Sequence, residues 1–280
     1  MEYRVAATVE EAVALLGDRE GSRPVAGGTD LAVVIADGLR PPALLVDVSG
    51  IPSMRGIRRA DGGIAIGAAT TVAEIASRSD LPACLWQGAR AIGSPQIRNL
   101  ATIGGNICNA SPCGDTLAPL VALDAAFVLL SRTGGRTVPA EQFFVGPKET
   151  VLRPGELLVE ILISAPRLAG RSAFRMIGKR NGQAISQVNA AVWLAVERGV
   201  IREARAAVGS VAPIPLRLRA TEALLTGKAV RRLDVQAVLA AVDAEIAPIS
   251  DVRASVEYRR LVAASLFRDA LAEVAEAAGD

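Results

Sequence analysis

Thr102-Ile-Gly-Gly-Asn-Ile-Cys-Asn-Ala-Ser-Pro-Cys-Gly-Asp115 sets a glycine pair among a hydroxyl, two amides and a carboxylate. That is the composition of an anion-binding nest with hydroxyl-binding groups beside it. On composition alone a long Asx-rich surface loop fits equally well. A second glycine pair lies upstream in Pro24-Val-Ala-Gly-Gly-Thr-Asp-Leu31. This stretch reads as a strand, a glycine turn and a capped helix, an arrangement that aims backbone N–H groups and the positive helix end at one point. Such a point suits a phosphate, and glycine there permits positive φ and leaves no Cβ between backbone and ligand. Strand-to-helix turns with two glycines are also common in α/β proteins that bind nothing. Together, the two segments suit a diphosphate with a polyol attached.

Other nucleotide sites are absent from the sequence. No Gly-x-Gly-x-x-Gly joins a strand to a helix, and Gly227-Lys228 lacks both the earlier glycine and the following Ser or Thr of a phosphate loop. There is no histidine, which excludes Ser-His-Asp and Cys-His catalysis and His-ligated zinc. Cys84, Cys108 and Cys113 cannot supply the four ligands of a standard iron–sulfur cluster. An organic redox centre is the expectation that remains, with no metal held by this chain. The three cysteines are odd in number and follow no export signal, which argues against a disulfide framework. The 31 basic and 29 acidic residues are interspersed and aromatics make up 3%, so no nucleic-acid partner is expected. Met1-Glu2-Tyr3-Arg4 opens without a signal-peptide pattern and no apolar run approaches spanning length. A cytoplasmic protein with no membrane insertion is expected.

With 280 residues, two domains are expected. Thr8 and Glu11 have capping-box spacing ahead of a short helix that Gly17 should stop. Strands are expected at Arg23–Ala26 and Ala43–Val48, making the first fifty residues a βα unit. A hairpin follows around Asp61-Gly62-Gly63, then a second capping box at Thr71 and Glu74, and a helix from Leu81 that Gly93-Ser94-Pro95 breaks. The character changes at Ala165-Pro-Arg-Leu-Ala-Gly170, where the domain boundary is placed. Beyond it, Val188–Glu197 and Arg202–Ser210 alternate like antiparallel strands, while Ala220–Leu225 and Val256–Val274 have helical periodicity. Trp86 and Trp193 sit in apolar patterns, so packing is their default role.

Ala26-Gly-Gly-Thr-Asp30, Ile92-Gly-Ser-Pro-Gln-Ile-Arg98 and Thr102-Ile-Gly-Gly-Asn106, continued by Asn109-Ala-Ser-Pro112 and Asp115, carry a family resemblance. In order and spacing they resemble the FAD-binding segments of the flavoprotein subunits of the xanthine dehydrogenase and carbon monoxide dehydrogenase family. Lys179-Arg-Asn-Gly-Gln-Ala-Ile-Ser186, Val208-Gly-Ser-Val-Ala-Pro-Ile-Pro-Leu-Arg217 and Tyr258-Arg-Arg260 resemble that family's C-terminal domain. The resemblance implies an α+β chain. A two-part FAD-binding domain of vanillyl-alcohol oxidase (PCMH) type would span residues 1–168, with subdomains of about 1–54 and 55–168. An α+β C-terminal domain with a three-stranded antiparallel sheet and helices would span 169–280.

By the same resemblance Pro24, Val25, Ala26, Gly27, Gly28, Thr29, Asp30 and Leu31 wrap the FAD diphosphate, and Thr102, Ile103, Gly104, Gly105 and Asn106 complete the cradle. Asp115 accepts bonds from the polar part of the cofactor, and Ile92 packs near the flavin or adenine. Leu158 lends backbone contacts after the Arg153-Pro-Gly-Glu156 turn, and Phe174, Arg175 and Lys179 reach in from the second domain. The implied function is electron transfer in a molybdenum hydroxylase. Electrons pass from a molybdopterin site on a large subunit, through [2Fe-2S] clusters on a small subunit, to this FAD and on to an external acceptor. A dimer of heterotrimers is implied, with no catalytic residue in this chain and no activity of the chain alone on the organic substrate. The lack of histidine removes the usual histidyl linkage, so FAD is expected to be non-covalent, with cysteinyl attachment left open.

There are departures from the family pattern. Thr29-Asp30 stands where some relatives carry His-Ser, and an inserted cysteine-rich loop of some relatives is missing, so no extra cluster is expected. Cys84, Cys108 and Cys113 read as small buried thiols. A self-sufficient NAD(P)H-dependent flavin reductase is disfavoured because no third, substrate-binding domain is present. A scaffold subunit lacking FAD is disfavoured by the intact glycine segments.

Overall fold

The computed structural model describes residues 1–38, 41–60, 62–180 and 182–277. The chain opens with β1 (Glu2–Val5), α1 (Val9–Asp18), β2 (Ser22–Val25), α2 (Leu31–Ala36) and β3 (Leu44–Asp47), which form a parallel sheet of order β1-β3-β2. Thr8 caps α1 by accepting from the Glu11 N–H at 3.2 Å, and the Glu11 carboxylate takes the Ala7 N–H at 2.8 Å. Val9, Ala12, Val13 and Leu16 bury one face of that helix. Gly17 does not stop α1, which continues to Asp18; the chain turns instead at Gly21 with φ +77°. The expected polar cap of α2 is also not made. Asp30 precedes the helix in αR geometry without a side-chain cap bond, and its carboxylate faces Lys148 at 3.6 Å.

Next come β4 (Ile57–Ala60), β5 (Gly63–Gly67), α3 (Val72–Ala76), α4 (Ala83–Ala91), α5 (Pro95–Leu100), α6 (Ile103–Asn109) and α7 (Leu117–Ala122). They are followed by β6 (Ala126–Ser131), β7 (Gly134–Pro139), α8 (Ala140–Phe143), β8 (Phe144–Gly146), β9 (Glu149–Thr150), β10 (Leu157–Ser164) and α9 (Ala165–Ala169). The β4–β5 hairpin forms as expected, although Asp61 at its tip lies outside the described residues. The sheet order is β4-β5-β10-β6-β7, so the apolar β10 sits in the middle, antiparallel to both neighbours. Thr71 caps α3 through the Glu74 N–H at 3.1 Å. Phe127, Phe143 and Phe144 meet edge to face, with ring centroids 5.0 to 6.3 Å apart.

The chain ends with β11 (Arg171–Gly178), β12 (Ser186–Glu197), β13 (Val200–Gly209), β14 (Leu216–Arg217), α10 (Arg219–Leu225), α11 (Val235–Glu245) and α12 (Val256–Ala277). The three long strands are the expected antiparallel sheet, with the two-residue β14 added at its edge. Side chains alternate across this sheet. Ala173, Val188, Ala190, Val192, Leu194 and Ala206 join a core closed by α11 and α12, whereas Phe174, Ala191, Trp193 and Ala207 join the core of the first domain. Both faces are covered, which explains the unbroken apolar run of β12.

A polar seam fixes the boundary. Arg167 lies over the Trp193 ring at 4.4 Å, and its carbonyl accepts the indole N–H at 2.9 Å. A Cβ on Gly170 would overlap that indole. The Asp124 carboxylate receives Arg167 at 2.6 Å, Arg205 at 2.9 Å and Arg217 at 2.5 Å. Burial works against the charged form, but the Arg205 hydrogen bond and the charges of Arg217, Arg205 and Arg167 hold this carboxyl below its ordinary range. A depressed folded pKa stabilises above the unfolded value and is lost as pH falls. Asp124→Asn is therefore expected to cost about 1–3 kcal/mol near neutral pH, discounted for the half-exposed site. In urea unfolding, the gap to the wild type should narrow as pH falls below about 4; an unchanged gap would contradict the electrostatic origin.

Candidate functional site

The first glycine segment leaves β2 at Val25, whose carbonyl accepts the Val48 N–H at 2.9 Å. Pro24 and Val25 are held in the parallel ladder opposite Val46 and Asp47. Ala26 and the two glycines follow, half-buried. Gly27 is pressed onto the end of α5, where a Cβ would overlap the Leu100 carbonyl. Gly28 makes the turn at φ +67°, a conformation that L side chains rarely adopt. Among the described residues, the N–H groups of Gly27, Gly28, Thr29 and Asp30 find no partner. Four adjacent unpaired donors at a half-buried turn are what a multivalent anion requires. Leu31 then begins α2.

The second segment is built differently. Residues 103–109 form α6, neither a long loop nor a nest, and Thr102 caps it by accepting the Gly105 N–H at 3.1 Å. The other N–H groups of its first turn are also taken: Ile103 donates to Thr70 at 3.0 Å, Gly104 to Ala68 at 2.8 Å and Asn106 to Thr102 at 3.0 Å. The Ile103 side chain is in the core. Gly104 is packed, since a Cβ would lie 2.6 Å from the Ala68 carbonyl oxygen, whereas a Cβ on exposed Gly105 would meet only the Thr102 hydroxyl at 3.0 Å. The Asn106 carbonyl accepts from Thr116 at 2.6 Å, leaving its amide N–H groups free among the described residues. Leu158 is buried on β10 opposite Leu129. The neighbouring Val159 carbonyl accepts the Ala68 N–H at 3.0 Å, so main-chain bonds run from β10 through Ala68 to Gly104.

Lys148 was not singled out by sequence reasoning. Its ammonium donates to Asn109 at 2.6 Å and faces Asp30 at 3.6 Å, joining the two segments. The available signal, a Gly-Pro-Lys turn, is common to many loops.

The remaining expected residues stand as follows. Ile92 ends α4, and its carbonyl accepts from Arg98 at 2.8 Å. The Phe174 N–H donates to Gln87 at 2.7 Å and Arg175 pairs with Glu273. With Trp86, Gln87, Arg90, Ala91 and Met176 these two line a cleft of about 300 Å³ beside the end of α4. Lys179 donates to the Val252 carbonyl at 2.9 Å and shares no hydrogen bond with either glycine segment among the described residues. It lines a separate concavity with Arg180, Ile185 and Arg253. Asp115 is 5% exposed and spends Oδ1 on Ser186 and on Asn189 at 3.1 Å, tying the first domain to the C-terminal sheet. Burial outweighs those bonds and pushes its carboxyl up to about 7. Burial likewise pushes the Cys84 and Cys108 thiols up; Cys84 is a buried core group, whereas Cys108 and Cys113 are half-buried. Among the described residues no group of three or more His, Cys, Asp or Glu could hold a metal, and no helix is long and apolar enough to cross a membrane.

An unpaired-donor turn packed on the residues that lead into a capped glycine helix, with a sheet-and-helix domain after it, is the class of arrangement that suits a phosphate-bearing organic cofactor. Residues 1–166 match the family model of the FAD binding domain in molybdopterin dehydrogenase, and residues 172–274 match that of the CO dehydrogenase flavoprotein C-terminal domain. The chain belongs to this family of FAD-binding oxidoreductase subunits. It is 34% identical to the carbon monoxide dehydrogenase medium chain of Hydrogenophaga pseudoflava, with 96% of this chain and 95% of that one covered. It is 33% identical to the xanthine dehydrogenase FAD-binding subunit of Escherichia coli O157:H7, over 99% and 97%. Reconstituted CO dehydrogenase from Oligotropha carboxidovorans contains a chain of matching structure, with TM-score 0.93, 32% identity and coverage of 99% and 98%.

The glycines separate by experiment. Gly104→Ala should destabilise the flavin-free chain by about 1–3 kcal/mol through overpacking on Ala68, seen as a drop of several degrees in Tm. Gly105→Ala should leave that Tm within about 2 °C yet weaken FAD about tenfold or more, about 1.4 kcal/mol; the reverse pattern would contradict the assignment. For Asp115 the sign is opposite to that of Asp124, because a carboxyl raised on folding costs stability as pH climbs from its unfolded value, about 4, to its folded one. The Tm advantage of Asp115→Asn over the wild type should grow between pH 4.5 and 8, and a constant difference would contradict it.

Proposed function

We propose that this chain is the FAD-carrying, electron-transferring subunit of a molybdenum-dependent hydroxylase or dehydrogenase. It would take electrons through [2Fe-2S] clusters of a small partner subunit from a molybdopterin site on a large one and deliver them to an external acceptor. The observation that carries this reading is the row of N–H groups at Gly27 to Asp30 that find no partner among the described residues, in a turn that packs through Gly27 on Leu100, two residues ahead of the Thr102 cap. The residues fit the group. Four donors match a diphosphate, and the space in front of Gly105 is what a Cβ would begin to fill. Bound there, FAD supplies redox chemistry in one- and two-electron steps.

Each residue then has a physical task. The N–H groups of residues 27–30 hold the diphosphate, and the Thr102 hydroxyl and the Asn106 amide donate beside it. Ile92, which follows α4, and the cleft beside it lined by Ala91, Phe174 and Arg175 give a half-apolar wall for a ring system. Asp115 acts by docking Ser186 and Asn189, and so by setting the C-terminal sheet against the cleft. Ile103 and Leu158 contribute main chain only, since their side chains are buried.

Residues 1–168, divided at about 54, form the cofactor domain in this reading, and 169–280 complete it. The assembly is a cytoplasmic dimer of heterotrimers, in keeping with relatives named as medium chains or FAD-binding subunits. Selection of the organic substrate falls to the molybdenum-bearing chain. The chain purified with its partners should show flavin absorbance beside that of the iron–sulfur clusters, and acid precipitation should release a yellow supernatant that contains intact FAD. Colour that stays with the pellet, or a preparation without flavin, would contradict the proposal.

A further inference from the structure

We infer that Lys148 is a cofactor-binding cation that spans the two glycine segments and meets the diphosphate, an inference that rests on the FAD reading above. Lys148 occupies the turn between β8 and β9 with φ +64°, the left-handed region that a residue with a Cβ adopts only when its surroundings hold it there. What holds it is α6 itself. The Lys148 N–H donates at 2.9 Å to the carbonyl of Ala110, the residue that closes α6 and is itself left-handed at φ +46°. Two strained residues are thus tied to each other, and the result is to bring the ammonium between the two glycine segments. It lies 2.6 Å from the Asn109 Oδ1 of the second segment and 3.6 Å from the Asp30 carboxylate of the first.

The charge balance of the turn gives this placement a purpose. The only charged side chain within the donor row of residues 27–30 is Asp30, an anion at a site meant for an anion. Left alone it would repel a diphosphate at close range. Lys148 offsets that charge. An ammonium has three donors; one is spent on Asn109, and at 3.6 Å the Asp30 contact is an ion pair longer than a hydrogen bond, so donor capacity remains for phosphate oxygens. The side chain is 52% exposed, so it is open to a ligand bound at the turn.

A merely structural tie predicts different behaviour from a phosphate contact. The test compares wild type, Lys148→Met and Lys148→Arg, each assembled with its partner subunits, stripped of flavin and titrated with FAD at several salt concentrations. Flavin-free melting temperatures are recorded in parallel. Lys148→Met should raise the Kd for FAD about tenfold or more, flatten its salt dependence and leave the flavin-free melting temperature within about 2 °C, a change of under 1 kcal/mol. Lys148→Arg should keep most of the affinity. An unchanged Kd in the Met variant, an unchanged salt dependence, or an affinity loss matched by a collapse in flavin-free stability would overturn the inference. A wild type that takes up no FAD would instead sink the reading on which it rests.

Discussion

Two glycines that pack with no room for a Cβ fix the segments proposed to hold the cofactor. Gly27 rests on the Leu100 carbonyl and Gly104 on that of Ala68, and at neither position is there room for a Cβ. These contacts place the turn after β2 and the first turn of α6 side by side. The glycine pairs then divide their labour. Within each pair one member packs, Gly27 or Gly104, while Gly28 makes a left-handed turn and Gly105 is exposed. In the proposed reading each Gly-Gly pair thus meets two constraints, one from the protein's packing and one from the cofactor.

The C-terminal domain is held to that cleft by two carboxylates of opposite energetic character. Asp124 gathers three arginines at the boundary and gains from its charge. Asp115 is buried deeply enough that ionisation costs it, and it is kept for what it touches, Ser186 and Asn189 on β12. Between them β12 runs with one face in each core. Both domains therefore share the residues of one strand in their cores.

Much of this was legible in the sequence because it follows from local chemistry. Thr8, Thr71 and Thr102 all cap helices, and the first two have the acidic residue of the capping box three positions on. The third was hidden because Gly105 stands where that acidic residue would be and glycine lowers helix propensity, so composition pointed to a loop. Gly17 misled for the related reason that a glycine near a helix end signals a stop only when the chain goes left-handed there, and at Gly17 it stays helical. Thr29-Asp30 has the residue types of a cap, but Asp30 is drawn to Lys148 from 118 positions away. Such long-range pairs, like Asp115 with Ser186 and Asn189, have no local signature. The family motifs pointed to these segments; only the packed chain shows which of their N–H groups are spent on each other and which find no partner among the described residues.

In the function proposed above, this flavin-binding chain is one link of an electron path and has no organic substrate of its own. Anaerobic mixing tests it most directly, with the flavin-loaded chain exposed to candidate organic substrates alone and then together with its molybdenum and iron–sulfur partner subunits, while the flavin absorbance is followed. The account predicts bleaching only in the three-part mixture. Bleaching of the chain alone by an organic substrate would contradict it and make the protein a self-sufficient flavoenzyme.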